Sequence, residues 1–145
     1  MSSRVDPRPR QAFDQDALLA WFEPRRRLYP WRGVSDPYRI LVSEVMLQQT
    51  QASRVIPAYE RFTKFFPTVE RLAAAPAAEV IEAWSGLGYN RRAVSLWRAA
   101  QAIVSEHGGR VPSDPGSLCR LPGVGPYTAA AVAAVAHGRP VPAID

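Results

Sequence analysis

The chain has 145 residues, with 18 Lys and Arg against 13 Asp and Glu and a formal net charge of +5. This length suits a single domain that is large enough to bury a hydrophobic core. The single cysteine, Cys119, excludes an internal disulfide framework and any zinc or iron–sulfur site made only of this chain's cysteines. The basic excess indicates an anionic partner such as nucleic acid, or simply a solvated cationic surface.

No apolar run approaches the length of a membrane span, and the N-terminal segment MSSRVDPRPR is too polar for a secretory signal. We therefore expect a soluble intracellular protein of the cytoplasm or nucleoid, without a membrane partner. Residues 1–11 contain prolines and arginines without hydrophobic periodicity, which predicts a disordered basic arm.

The rest of the chain predicts a succession of helices. Aspartate followed by proline, at Asp36-Pro37 and again at Asp114-Pro115, is typical of a helix start, and Thr68 is a third candidate cap. Pro57 must either bend its helix or lie in the first turn. Alternating strand patterns and internal repeats are absent from the sequence, so the predicted fold class is all-α. The predicted helices cover residues 14–22, 37–50, 52–66, 68–74, 77–84, 90–106 and 126–136, with one more short helix before the segment LPGVG.

The segment LPGVG predicts a tight turn between two helices, because Gly123 and Gly125 allow backbone angles that side chains resist. The free N–H groups at the start of the following helix can bind a phosphate oxygen, directly or through a monovalent cation. The alternative is a plain helical hairpin with glycine at a helix end. The flanking Leu121, Pro122 and Val124 and the alanine-rich segment TAAAVAAVA favour the DNA-binding interpretation.

Glu44 is the only formal charge between Arg39 and Arg54. Its neighbours at helical spacing are largely apolar, so the carboxylate lies either on a narrow exposed polar stripe or in a desolvated cleft. The uncharged polar cluster at 48–51 lies next to it. Amide side chains at a helix end suit base edges, or the space left by a displaced base, better than they suit core packing.

Five motifs in order resemble one family of enzymes. They are PWRG at 30–33, SEVMLQQTQ at 43–51, GLGY at 86–89, LPGVGPYTA at 121–129 and the Gly/Pro-rich lead-in to Asp145. From about residue 21 to its end, the chain is similar to the A/G-specific adenine DNA glycosylases of the helix-hairpin-helix superfamily. The motif VMLQQTQ is highly specific to that family, whereas LPGVG is shared across the superfamily.

The resemblance implies a six-helix domain at 30–138 with its helix-hairpin-helix at 117–136. A Gly/Pro-rich loop at 139–145 follows, and residues 12–29 would form the N-terminal helix of a second domain. The implied partner is double-stranded DNA with adenine opposite oxidised guanine or G, bound by a monomer. Two other interpretations stay open: an endonuclease III-like enzyme with another base preference, and a non-catalytic helix-hairpin-helix DNA-binding module.

The resemblance also implies roles for individual residues. Glu44 matches the glutamate that protonates the departing adenine and then helps activate water. Asp145 matches the aspartate that stabilises the oxocarbenium-like sugar. Gln49 and Tyr89 match side chains that enter the duplex beside the extruded base and the oxidised guanine. The other implied substrate or DNA contacts are Trp31, Arg32, Gln48, Gly123, Val124, Gly125 and Tyr127.

Position 127 separates two activities within the superfamily. Endonuclease III-type lyases resemble this turn but carry, where this chain has Tyr127, a lysine that forms a Schiff base with the sugar. The only lysine here is Lys64, so the resemblance implies a monofunctional hydrolase. Arg91, Arg92 and Arg98, which follow GLGY, are expected either to contact the DNA backbone or to solvate a helix face.

Two features depart from the family's pattern. Asn90 stands where many members have a second tyrosine. The family continues past the aspartate with further helices and four cysteines that hold a 4Fe-4S cluster, whereas this sequence stops at Asp145. We therefore expect the cluster in the full-length family member, a fragment or incomplete gene model here, and weak or absent catalysis by this chain alone.

Overall fold

The computed structural model of the protein describes residues 29–31 and 33–136, without the side chains of residues 135 and 136. The chain forms two compact units, residues 1–32 and 33–145. Several predictions lie outside the described residues: the arm at 1–11, the helix at 14–22, Arg32, and the loop at 139–145 with Asp145.

Helices are the only regular elements among residues 29–31 and 33–136, which confirms the all-α fold class. The segment LPGVG joins the last two of them, as predicted. In chain order the helices of the second unit are α1 (Pro37–Leu47), α2 (Ala52–Phe65), α3 (Val69–Ala74), α4 (Ala77–Ala83), α5 (Arg91–His107), α6 (Pro115–Cys119) and α7 (Pro126–Ala136).

The residues predicted to start helices do so through their side chains. Asp36 accepts a hydrogen bond from the backbone N–H of Tyr38 at 3.1 Å at the start of α1. Asp114 accepts from the N–H of Ser117 at 3.0 Å at the start of α6, and Thr68 caps α3 in the same way at 3.1 Å. These bonds satisfy amides that the first turn of a helix leaves without an intrahelical acceptor.

Two helices differ from their predicted form. Helix α1 ends at Leu47 rather than at residue 50, because Gln48 is extended with a ψ of 121° and Gln49 follows in a left-handed conformation with a φ of 60°. Pro57 is the sixth residue of α2, past the first turn. Since proline has no N–H, the carbonyl of Ser53 lacks its usual helical donor there.

Helix α1 is the central element of the second unit. It packs against α2, α5 and α7, and seven of its eleven residues are buried. Helix α5 in turn packs against α3 and α4. Removal of this apolar surface from water is the main favourable term that holds the helices together. The largest fully buried side chains are those of Trp84, Tyr59, Phe62, Leu41, Met46, Leu72 and Leu96.

A buried hydrogen bond ties the start of α1 to the end of α2. The hydroxyl of Tyr38 donates to the carbonyl oxygen of Phe66 at 2.7 Å. Burial raises the pKa of the Tyr38 hydroxyl above its ordinary value, so this group stays a neutral donor. The ring of Phe62 also meets the edge of Trp84, with centroids 5.8 Å apart, which connects α2 to the end of α4.

Helix α7 is rich in small residues, and these let it lie close to its neighbours α1 and α6. Ala129, Val132 and Ala133 are fully buried, which confirms the close packing predicted for the alanine-rich segment. None of the helices that the structure describes is long and apolar enough to cross a membrane.

Replacement of Asp36 by alanine tests the start of the central helix. The change removes the cap and also the carboxylate that lies 3.7 Å from Nε of Arg39. We expect the free energy of unfolding, measured by urea denaturation, to fall by about 1 kcal/mol. Asp36→Asn keeps an oxygen that can cap and should recover most of this loss. Ser35→Ala, at the exposed neighbouring position, should change stability by less than about 0.5 kcal/mol; equal losses in Asp36→Ala and Ser35→Ala would contradict the cap.

Candidate nucleic-acid interface

The end of α1 presents two adjacent glutamines in different ways. Gln48 is half-buried, and its Nε2 donates to Oγ1 of Thr128 at 2.7 Å, which joins α1 to the first turn of α7. Gln49 follows with its left-handed backbone and an exposed side chain. One glutamine therefore connects two helices, whereas the other is free to reach a ligand from the surface.

The turn at residues 85–90, between α4 and α5, presents an exposed tyrosine. Gly86 and Gly88 have φ values of 96° and 74°, and Tyr89 follows at 50°. The side chain of Tyr89 is 63% exposed. Across the described ranges, Gln49 and Tyr89 are the only non-glycine residues with positive φ. Such a conformation costs on the order of 1–3 kcal/mol and is concentrated at functional sites, where the surroundings impose it.

The side chain of Arg92, at the start of α5, binds the end of α1. Its Nη1 donates to the carbonyl oxygens of Val45 at 3.1 Å and Met46 at 3.0 Å, and also to that of Gln48. Its Nη2 donates to Oγ1 of Thr50 at 2.9 Å. The last carbonyls of a helix have no intrahelical donor, so the guanidinium supplies donors and places positive charge at the negative end of the helix dipole.

The same guanidinium binds the turn at residues 85–90, the second turn of this interface after the one at the end of α1. Its Nη2 donates to the carbonyl oxygens of Leu87 at 3.5 Å and Gly88 at 3.4 Å. Its central carbon lies 5.7 Å from the ring centroid of Tyr89 and 5.4 Å from that of Trp84, within the range of cation–π attraction. Burial lowers the pKa of the Arg92 guanidinium, but an arginine side chain stays protonated in proteins.

Two arginines of α2 bind other carbonyls of the second turn. Nη2 of Arg54 donates to the carbonyl oxygen of Gly86, and Nη2 of Arg61 donates to that of Ser85 at 2.7 Å. Together with Arg92, these residues direct three of the chain's positive charges at its own backbone. Part of the basic excess in the composition is therefore structural.

Sequence reasoning missed the roles of Arg92 and Thr128. Thr128 bonds a side chain 80 residues earlier in the chain, and the carbonyls of α1 that Arg92 binds precede it by as many as 47 residues. The two predicted roles of Arg92, a contact with the DNA backbone and solvation of a helix face, do not describe these bonds. Its position just after a glycine-rich turn was a local indication that it could bind that turn. Contacts of this kind become visible only once the helices are packed.

The hairpin turn, at Leu121–Gly125 between α6 and α7, is anchored by apolar residues and by one glycine. Leu121 and Val124 are buried, and the N–H of Val124 donates to the carbonyl oxygen of Leu121 at 3.1 Å. Gly123 has a φ of 77°, and a Cβ there would lie 2.6 Å from Cβ of Ser95 in α5. Glycine is therefore required at 123 for its backbone angle and for its close approach to α5.

The start of α7 is exposed beside this turn. Pro126 has no N–H, and the amides of Tyr127 and Thr128 lie in the first turn, where a helix offers them no intrahelical carbonyl. The first intrahelical bond runs from the N–H of Ala129 to the carbonyl oxygen of Gly125 at 2.9 Å. Gly125 and Tyr127 are both exposed. This end of α7 carries the positive end of the helix dipole, which attracts anions.

A cavity of about 570 Å³ connects the end of α1, the second turn and the hairpin turn. Gly125 and Tyr127 follow its lining residues Gly123 and Val124 in the chain but do not line it themselves. A cavity of about 660 Å³ at the start of α1 and the end of α5 contains none of the predicted site residues. The predicted residues that the smaller cavity brings together are Gln48, Gln49, Tyr89, Gly123 and Val124, and Arg92 lines it as well.

Glu44 is half-buried in the middle of α1. Its surroundings are thus intermediate between the exposed stripe and the desolvated cleft that the sequence left open. It lies one turn before Gln48, and residues four apart share a helix face. Its face of α1 therefore continues into the contact with α7.

Three other predicted residues have no described position relative to Glu44. Asp145 and Arg32 lie outside the described residues. Trp31 belongs to the first unit, where its ring stacks on that of Tyr29 with centroids 5.1 Å apart. The pairing of Glu44 with Asp145 stays a prediction.

The described residues do not fit an iron–sulfur cluster. Cys119, the only cysteine of the sequence, is exposed at the end of α6. Within residues 29–31 and 33–136, no group of three or more His, Cys, Asp or Glu side chains could hold a metal ion. A cluster of the 4Fe-4S kind needs four thiolates, so this chain does not supply its ligand set.

Residues 42–145 match a protein family described as "HhH-GPD superfamily base excision DNA repair protein". The chain is 49% identical over 130 residues to the adenine DNA glycosylase of Mycolicibacterium smegmatis, covering 88% of this chain and 44% of that protein. It is 47% identical over 139 residues to that of Mycobacterium tuberculosis, covering 94% and 45%. The chain thus spans less than half the length of these curated relatives.

Two solved structures share the fold. A thermostable thymine-DNA glycosylase superposes with a TM-score of 0.79 at 34% identity, covering 90% of this chain and 60% of that one. A non-covalent endonuclease III–DNA complex gives a TM-score of 0.72 at 24% identity, covering 90% and 64%. The second likeness concerns the fold alone.

Replacement of Gly123 by alanine tests the hairpin turn. The new methyl group would collide with Ser95, and φ would remain in a region that side chains resist. We expect the free energy of unfolding to fall by about 1–3 kcal/mol, measured by thermal and urea denaturation. Gly125→Ala is the matched control, because a Cβ there has nothing within 4 Å, and it should cost less than about 0.5 kcal/mol. Equal stability of the two variants would contradict the close packing of the turn on α5.

Proposed function

The chain belongs to the HhH-GPD superfamily of base excision DNA repair proteins, and from this premise we propose that it acts as an adenine DNA glycosylase. Its substrate would be double-stranded DNA in which adenine lies opposite oxidised guanine or G. The observation that carries the proposal is the presence of Gln49 and Tyr89, both exposed and both in left-handed conformations, at one cavity beside the hairpin turn.

Base excision requires that the target nucleotide leave the base stack. The enzyme must then fill the space with its own side chains and hold the bent backbone by its phosphates. Gln49 offers an amide that can bond base edges, and Tyr89 offers a ring that can stack. Their adjacent positions suit insertion at one site in the duplex.

The hairpin turn and the start of α7 would bind the DNA backbone. Gly123 and Gly125 leave the turn without side chains, so a phosphate can approach the amides of α7 directly or through a monovalent cation. Val124 anchors the turn to the protein, since its side chain is buried. Tyr127, exposed one residue past Pro126, would lie beside the bound strand.

Excision of adenine needs an acid for the departing base and negative charge near the sugar. Glu44 would protonate the adenine ring as the bond between N9 and C1′ breaks, and the bonding electron pair leaves with the base. The sugar becomes an oxocarbenium ion, stabilised by Asp145, and Glu44 then takes a proton from the water that attacks C1′. Partial burial on α1 limits the access of bulk water to Glu44. Trp31 and Arg32 would line the adenine pocket.

We infer hydrolysis without a lyase step. A lyase needs an amine nucleophile that attacks C1′ and forms a Schiff base. The only lysine of the chain, Lys64, is an exposed residue of α2, and position 127 is a tyrosine. A phenol cannot form a Schiff base, so water is the attacking group.

A related glycosylase with another base preference is the second candidate. The likeness in fold and sequence to a thymine-DNA glycosylase favours it. The two candidates share the insertion side chains and the hairpin, and they differ in the base that the pocket accepts. Excision assays on several mispairs therefore separate them.

Glu44→Gln tests the proposed chemistry. In the protein as expressed from its own gene, this change should lower the single-turnover rate of adenine release opposite oxidised guanine by about 10²–10⁴-fold. The affinity for the duplex should change little, because the amide keeps the shape of the side chain. Glu60→Gln, at an exposed glutamate of α2, is the control and should leave both quantities unchanged.

Three results would contradict the proposal. Faster release of thymine or uracil than of adenine would replace the proposal with the second candidate. Duplex binding without release of any base would leave a non-catalytic DNA-binding module. Full adenine release by Glu44→Gln would show that another group is the acid.

A further inference from the structure

We propose that Arg92 is a positioning residue that fixes the separation between Gln49 and Tyr89, so that both side chains enter a DNA duplex as one unit. The part of this proposal that concerns DNA rests on the proposed function. The part that concerns the geometry of the two turns is a property of the free protein and can be tested without DNA.

The guanidinium of Arg92 binds both sides of Gln49. One hydrogen bond runs to the carbonyl oxygen of Gln48, the residue before it, and another to Oγ1 of Thr50, the residue after it. A residue in the left-handed region relaxes readily unless its neighbours are held. Arg92 therefore holds Gln49 in its strained conformation from both neighbouring residues.

The same group holds Tyr89 by a different combination of contacts. It bonds the carbonyl oxygen of Gly88, the residue before Tyr89, at 3.4 Å, and lies 5.7 Å from the tyrosine ring centroid. The guanidinium also contacts Trp84, whose ring centroid lies 5.4 Å from its central carbon. Nε1 of Trp84 donates to the same Gly88 carbonyl at 3.2 Å. Trp84 is fully buried, so this anchor is rigid.

The two turns are thus joined through one planar group. A guanidinium has five N–H donors in a fixed fork, and its atoms cannot move relative to one another. Any displacement of the Gln49 turn must break bonds to Arg92 or carry the Tyr89 turn with it. A lysine ammonium is a single point of charge on a flexible stem and cannot span acceptors in both turns.

Arg54 provides a matched comparison within the same site. It binds only the second turn, through the carbonyl of Gly86. Loss of Arg54 therefore loosens one turn, whereas loss of Arg92 loosens both. This difference separates a coupling role from a general contribution to stability.

Hydrogen exchange of backbone amides in the free protein tests the coupling. The amides of Thr50 and Leu87 report on the two turns, since they donate to the carbonyls of Leu47 at 3.5 Å and Trp84 at 3.3 Å. In Arg92→Met both amides should exchange about tenfold faster or more, the loss expected for hydrogen bonds to a charged group. In Arg54→Met only Leu87 should do so. Unchanged exchange at either amide in Arg92→Met would overturn the proposal.

Arg92→Lys keeps the test decisive if the methionine variant fails to fold. Lysine retains the charge but lacks the fork, so at least one of the two amides should exchange about tenfold faster while the amides of the buried residues of α5 keep wild-type protection. Wild-type exchange of both Thr50 and Leu87 in Arg92→Lys would contradict the spanning role. Faster exchange spread equally over α5 would reduce Arg92 to a general stabilising residue and would also contradict it.

A double-mutant cycle tests the use of this geometry on DNA. Dissociation constants are measured for Gln49→Ala, Tyr89→Ala and the double variant, on a duplex whose target 2′-fluoro-adenosine resists cleavage opposite oxidised guanine. With Arg92 present, the two changes should be coupled by about threefold or more. In the Arg92→Lys background the coupling should vanish; equal coupling in both backgrounds would overturn the proposal. Failure of the wild-type protein to bind this duplex would refute the proposed function and leave the exchange result standing.

Discussion

The positions of the exposed residues Gln49 and Tyr89 depend on which donors bond the last carbonyl oxygens of α1. Helix α1 is buried over most of its length, so its last carbonyl oxygens cannot all turn to water, and a buried carbonyl without a donor is costly. The helix stops at Leu47, and Gln49 takes a left-handed backbone conformation. From α5, Arg92 donates to the carbonyl oxygens of Val45 and Met46 and, because its guanidinium is a fork, also binds the turn at residues 85–90. One electrostatic requirement of a helix end thereby determines where two exposed side chains lie.

A buried helix is a suitable base for this arrangement. Glu44 lies in α1 and Gln48 and Gln49 directly follow its last residue, and α1 is held on several sides by α2, α5 and α7. Functional groups on a packed helix keep their relative positions better than groups on a free loop. The hairpin turn is fixed to the same framework, because Gln48 bonds Thr128 and Gly123 lies against α5. Proposed chemistry, insertion and phosphate binding thus share one rigid support.

Most of the helices and all three caps could be predicted from the sequence, because they depend on local chemistry. Asp36 and Asp114 precede prolines, and Thr68 is a capping residue type, so each start is determined by a few neighbouring residues. The end of α1 could not be predicted, since the polar cluster there fits a further helical turn. The helix ends where Gln48 becomes extended and Gln49 left-handed, and Arg92 of another helix bonds the residues on both sides of Gln49.

The residues of the candidate site could be predicted where they belong to a recognisable motif. Gln49 and the hairpin turn were singled out by their residue types and Tyr89 by the family resemblance, and the structure groups them around one cavity. The sequence left the surroundings of Glu44 open between two environments, because burial depends on which faces of α1 the other helices cover. The inward roles of Arg54, Arg61 and Arg92 were hidden for a related reason: their partners are backbone carbonyls, which every sequence has and no motif marks.

On the proposed function, this chain takes an adenine out of a duplex by inserting Gln49 and Tyr89. Fluorescence of 2-aminopurine, placed at the target adenine opposite oxidised guanine, tests this claim directly, since its emission rises when the base leaves the stack. We expect a clear rise on saturation with the protein, and a much smaller one when the same base lies opposite T. Saturated binding without a rise, or the same rise opposite T, would contradict it.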